Sequence, residues 1–93
     1  PSLASKSFFN KEVYAVSYDK DNVDDFTLAL LYLVMHNEDE YGARAWKGFD
    51  WETMNRLHSK GYIGDPVSKA KSVFVTPEGS KKAKELFNLY FIH

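Results

Sequence analysis

The sequence predicts an α+β domain, mainly helical, with a small antiparallel β-hairpin held between two helices. Three observations predict it. The stretch Asp50–Gly79, DWETMNRLHSKGYIGDPVSKAKSVFVTPEG, reads in turn as helix, strand, turn, strand and helix start. A strongly apolar helical stretch precedes it, from Val23 to about His36. A further amphipathic stretch follows it, from Pro77 to about Phe91. A chain of 93 residues suits one domain. It buries about two thirds of its unfolded surface, and fifteen aromatic residues (7 Phe, 6 Tyr, 2 Trp) are available to build a core.

In chain order, residues 1–21 read as an N-terminal arm and residues 22–93 as the folded domain. In the arm, Tyr14, Val16 and Tyr18 alternate with Ala15 and Ser17, a strand-like period. An edge strand or a segment packed on a neighbouring subunit is expected, with a helix as the alternative. Asp19–Asn22 is a polar linker that supplies an N-cap. The helix from Val23 carries Asp24 and Asp25 in its first turn, where acids complement the positive end of the dipole. Phe26, Ala29, Leu30, Leu33 and Val34 form one face, and Leu28, Leu31, Tyr32 and Met35 widen it, so the helix is buried on more than one side.

Asn37–Tyr41 reads as an acidic loop, and Arg44–Phe49 as a short strand pairing with the hairpin. Two readings of that strand compete. In one, Arg44, Trp46 and Lys47 form an exposed cluster that stacks on a base or contacts phosphate. In the other, favoured by the residues alone, Trp46 and Phe49 are core and the cations are solvated. Asp50 is an N-cap; Trp51, Met54, Leu57 and His58 share one helical face, and Glu52, Asn55, Arg56, Ser59 and Lys60 the wet one. Lys60-Gly61 is a stop signal. Tyr62-Ile63 and Ser72–Val75 are the hairpin strands, separated by Gly64-Asp65-Pro66 and a short polar tip. Thr76 caps the last helix, with Pro77 at its first position and Glu78 in its first turn. Ala83, Leu86, Phe87 and Tyr90 make its core stripe; Leu89, Phe91 and Ile92 fall outside it. That apolar surplus predicts a homodimer built from the last helix, the first helix and the arm.

The run LHSKGYIGDPVSKAKSVFVTPEG, from Leu57 to Gly79, resembles the helix-wing-helix portion of winged-helix regulators of the MarR type. The longer run Val23–Phe87, with RAWKGFDW at Arg44–Trp51 and KAKSV at Lys69–Val73, is similar to a family of small bacterial proteins catalogued only as a domain of unknown function. The resemblance covers about two thirds of the chain. It implies a winged-helix-like fold whose β-hairpin is the wing. Asn37–Phe49 is too short and too broken by glycine and charge for the helix that a full helix-turn-helix places there, so one helix of that motif is expected to be missing.

The net charge of −1 is unevenly divided: residues 1–41 carry three Lys against eight acids, and residues 42–93 carry nine Lys and Arg against five acids. Cysteine is absent, which excludes disulfides, thiolate metal sites and cysteine nucleophiles. His36, His58 and His93 lack second ligands at helical spacing, so no metal or cofactor is expected. There is no glycine-rich phosphate loop and no nucleophile elbow, and a non-enzymatic role is expected. The longest apolar run, Phe26–Met35, is too short to span a bilayer, and the beginning of the chain lacks a signal-peptide pattern; a cytoplasmic location is expected.

Two functions follow. In the first, Arg44, Lys47, Arg56, Lys60, Lys69 and Lys71 form one basic surface that neutralises phosphates, while Asn55 and Arg56 reach base edges of duplex DNA. The regulator resemblance favours this role. Asp50 and Glu52 oppose it, because they place negative charge at the helix end that recognition helices direct at DNA. In the second, the domain is a homodimeric protein-interaction module that binds no DNA and presents its apolar surplus to an unidentified protein partner.

Overall fold

The computed structural model describes residues 18–92. The strand expected in the N-terminal arm lies, for residues 1–17, outside the described residues.

Helix α1 spans Lys20–Leu31, and Asp19 caps it by accepting from the Asn22 amide at 3.1 Å. It starts earlier than Val23, because the cap precedes it by one residue. It also ends earlier than His36: the backbone tightens into a 3-10 turn over Tyr32–Val34, and Met35 is already extended. Strand β1 then covers Met35–Asp39 and β2 covers Gly42–Trp46, antiparallel, with Met35 opposite Ala45 and His36 opposite Arg44. The segment expected as an acidic loop is therefore largely a strand. Its polar residues have little strand propensity; the pairing with β2 holds them extended. An edge strand rich in charge also resists further pairing. A register shift lies between His36 and Asp39, and Asn37 takes a positive φ of 55°, a conformation asparagine tolerates better than most residues.

Helix α2 spans Trp51–Ser59, β3 spans Ser72–Val75 and α3 spans Pro77–Phe91. The caps are those expected: the Asp50 carboxylate accepts from the Thr53 amide at 3.0 Å, and Thr76 Oγ1 accepts from the Gly79 amide at 2.9 Å. Gly61 ends α2 with φ 85°, a region that glycine enters without a Cβ penalty. The sheet order is β1-β2-β3, and β3 is antiparallel to β2. On its other edge β3 meets Ile63 through a single antiparallel bridge, flanked by Gly64 N–Phe74 O at 2.8 Å and Thr76 N–Tyr62 O at 3.0 Å. The expected Tyr62-Ile63 strand thus shrinks to one bridge. Gly64 and the buried Pro66 end the pairing on that edge, while β2 supplies the full ladder on the opposite edge of β3.

The core joins Leu28, Ala29 and Leu31 of α1 to Ala43 and Ala45 of β2, Met54 and Leu57 of α2, Ile63, Val73 and Val75, and Ala83 and Leu86 of α3. Each large side chain contributes roughly 1.5–3 kcal/mol of transfer energy before chain entropy is subtracted. Gly79 lets α3 lie directly on the Tyr62 backbone, where any Cβ would collide. The apolar faces differ from expectation in three places. In α1, Leu28 and Leu31 are buried and Phe26 and Leu30 are exposed, as is Leu33 in the following turn, because α2, α3 and the sheet cover only part of its circumference. In α2, Thr53 joins Met54 and Leu57 inside, whereas Trp51 and His58 face out. In α3, Phe87 is half-buried and Tyr90 exposed. The order α1-β1-β2-α2-β3-α3 is consistent with a winged-helix-like fold. The β1–β2 hairpin stands where a full helix-turn-helix has a further helix.

Candidate nucleic-acid interface

Of the seven residues expected at a basic surface, the six cations separate into two groups and Asn55 joins neither. Arg56 and Lys60, expected on the wet face of α2, turn back onto α1. Arg56 Nε donates to both oxygens of Asp24, at 2.8 and 3.0 Å, and Nη2 lies 2.8 Å from Oδ1. Lys60 Nζ sits 2.9 Å from Asp24 Oδ2 and 3.0 Å from Asp21 Oδ1. Asp24 has no solvent exposure. Its position in the sequence suggested a dipole partner in the first turn, but one turn further along the helix it becomes the centre of an ionic cluster tying α1 to α2. Arg56 Nη2 also donates to Thr53 Oγ1 at 3.1 Å, and that hydroxyl donates to Asp50 at 2.8 Å. Glu52 adds a looser contact to Arg56 at 3.5 Å. These two cations are therefore largely neutralised.

Burial pushes the Asp24 carboxyl up, but hydrogen bonds from Arg56 and Lys60 outweigh it and hold the group below the usual carboxylate range. The same contacts raise Arg56 and Lys60.

Arg44, Lys47, Lys69 and Lys71 form the other group, and among the described residues none of them is ion-paired. They gather at one end of the β2–β3 ladder. Trp46 is opposite Ser72 there, and the Lys47 amide donates to the Lys71 carbonyl at 3.2 Å. Lys47 Nζ donates to Pro66 O, Ser68 O and Ser68 Oγ at 2.8, 3.0 and 2.9 Å, which fastens the wing loop to β2. Arg44 lies flat against β3, with Nε and Nη2 donating to Ser72 Oγ at 3.1 and 2.8 Å and Nη2 to Ser72 O at 2.8 Å. Lys69, Lys71 and Asn55 are exposed, and Asn55 lies on α2 rather than at the sheet.

Trp46, expected in the core, is 53% exposed, whereas Phe49 does pack against the core. The alternation of β2 buries Ala43 and Ala45 and turns Arg44 and Trp46 outward. His36 and Phe74 share that outer face. Neither is expected at this face from the sequence, where His36 reads as the end of the first helix, although the period of two in SVFV, with Val73 and Val75 inside, places Phe74 outside. On the other side of the sheet, Glu38 bonds Lys84 at 2.7 Å and contacts the Ser80 hydroxyl, and these bonds lower its pKa. This pair borders a shallow groove of about 310 Å³ between β1 and α3. No group of three potential metal ligands occurs among the described residues. No helix among them is long and apolar enough to cross a membrane.

The chain belongs to the family described as "Domain of unknown function (DUF6429)", whose model matches residues 19–93. It is also similar to "Uncharacterized protein y4hR" of Sinorhizobium fredii (strain NBRC 101917 / NGR234), with 52% identity over 73 residues, covering 78% of this chain and 93% of that one. No solved structure matches the chain.

Proposed function

We propose that this domain is a non-enzymatic nucleic-acid-binding module of a regulator-like kind, acting in the bacterial cytoplasm. The observation that carries the reading is the division of the cations: Arg56 and Lys60 are held by acids, whereas Arg44, Lys47, Lys69 and Lys71 keep an uncompensated charge at one end of the sheet. Such a concentration attracts phosphate whatever the base sequence. The interface therefore moves from the exposed face of α2, where Asp50 and Glu52 are unfavourable, to the wing and the β2–β3 edge. Fluorescence anisotropy with labelled oligonucleotides tests it. With about three phosphates neutralised, affinity should fall roughly 20- to 40-fold between 50 and 200 mM salt. Lys69→Glu with Lys71→Glu should remove most of the binding. Absence of binding to both single-stranded and duplex oligonucleotides at low salt would end this reading.

A second reading rests on a different observation. Phe26 and Leu30 of α1, with Leu33 of the 3-10 turn that follows, form an exposed patch, and the Phe26 ring meets Tyr90 and Phe91 of α3 at centroid distances of 4.5 and 6.2 Å. We propose that a second copy of the chain covers this patch. Contiguous exposed apolar surface of this kind usually marks a contact, and a homodimer would set two basic edges on one nucleic acid.

A further inference from the structure

We propose that the outer face of the β1-β2-β3 sheet is a stacking platform for single-stranded nucleic acid. The proposal rests on the nucleic-acid reading above and names its ligand class: a strand with unstacked bases rather than a duplex.

The face is a small array of rings around one fixed cation. Across the strands, His36 of β1, Arg44 of β2 and Phe74 of β3 stand in register. Trp46 follows Arg44 on the same face, with its ring centroid 4.9 Å from that of His36. Trp46 is 53% and Phe74 40% exposed, although the Phe74 ring rests on Gly42 and the Trp46 ring leans on His36, so each ring keeps part of its surface in solvent. Neither ring is needed to fill the core, whose side of the same strands is closed by Ala43, Ala45, Val73 and Val75. Trp46 and Phe74 are diagonal neighbours on adjacent strands, about 7–8 Å apart at the backbone. Two bases splayed from one strand can cover the two rings.

Arg44 supplies the complementary charge. Ser72, the residue opposite Trp46, holds its Nε and Nη2, which fixes the guanidinium at that end of the face and leaves Nη1 without a partner among the described residues. A guanidinium held this way suits a phosphate oxygen or a base face. Lys71 adjoins Ser72 at the Trp46 end, and Lys69 lies just beyond in the wing, so the backbone of a strand leaving Trp46 meets further positive charge. Base-paired DNA cannot use this surface in the same way, because its base faces are hidden in the stack; single strands expose them, and each base–ring contact contributes measurably to affinity.

The test uses the full chain with Trp51→Phe, which leaves Trp46 the only tryptophan. It is titrated at low salt with 15-mers of deoxythymidine, of uridine, and with a 15-base-pair duplex. Either single strand should quench Trp46 and bind at least about tenfold tighter than the duplex; the ratio between the two single strands identifies DNA or RNA as the natural source. In the otherwise native chain, Trp46→Ala should lose about tenfold or more of single-strand affinity, and Trp46→Phe should retain most of it. Unchanged thermal melting of both variants separates this loss from unfolding. Equal or tighter duplex binding, or single-strand binding that Trp46→Ala leaves unaltered, overturns the platform while the electrostatic reading stands. Absence of binding to all three probes removes both.

Discussion

Replacing Asp24 by Asn should be among the most damaging single changes on the polar side of this molecule. The Asp24 side chain is 1% exposed and faces two cations, Arg56 and Lys60. Asn keeps the shape but loses the charge and one acceptor oxygen, and turns an amide toward a guanidinium. Removing one partner of a fully buried ion pair costs about 3–5 kcal/mol. Here Arg56 is 22% and Lys60 34% exposed, with Glu52 and Asp21 as remaining partners, so about 2–3 kcal/mol is expected. A domain of this size has about 5–14 kcal/mol in all. Urea unfolding followed by circular dichroism should show the midpoint falling by about 1–2 M, and thermal melting should drop by about 10–20 °C. Pairing Asp24→Asn with Arg56→Met in a double-mutant cycle should reveal coupling above about 1 kcal/mol. The pH dependence has a definite sign. The folded-state pKa of Asp24 is lowered, so its contribution is complete above the unfolded value of about 3.9 and is lost as pH falls through the folded value. The stability gap between the wild type and Asp24→Asn should therefore narrow from pH 5 to pH 3. A variant within about 0.5 kcal/mol of wild type at pH 7, strict additivity in the cycle, or a gap independent of pH would refute the reasoning.

Gly79→Ala should destabilise by about 3 kcal/mol or more, because the new methyl meets the Tyr62 backbone and α3 must lift off; loss of cooperative unfolding by calorimetry would report it. Lys47→Met removes three hydrogen bonds to the wing and should raise amide exchange over residues 66–70 while lowering global stability by about 1 kcal/mol. Asp50→Ala and Thr76→Ala should each lower stability by about 1 kcal/mol through lost helix caps, measured by urea unfolding. Leu33→Glu, at a site 64% exposed, should leave melting nearly unchanged yet convert a dimer to a monomer by light scattering; a wild type that is monomeric at micromolar concentration would remove the second-copy proposal.

What the sequence determined by itself was local. Asp50 and Thr76 each satisfy an amide three residues away, Gly61 follows a cation at a helix end, and Pro77 opens a helix. Each of these signals is complete within one turn of chain, so reading four or five residues is enough to place α2 and α3. The tertiary structure decided whatever depends on a partner far along the chain. Polar β1 is extended because β2 pairs with it, and α1 ends at Leu31 so that the hairpin can begin. Arg56 and Lys60 read as solvated cations until α1 brings Asp24 across a separation of 32 residues to Arg56. Trp46 read as core until the fold turned it outward from a sheet whose inner side alanine and valine already close. Hydrophobic period marks which residues alternate together, but which face is covered depends on where the other elements pack. An ion's partner is likewise set by distances that only the assembled chain defines.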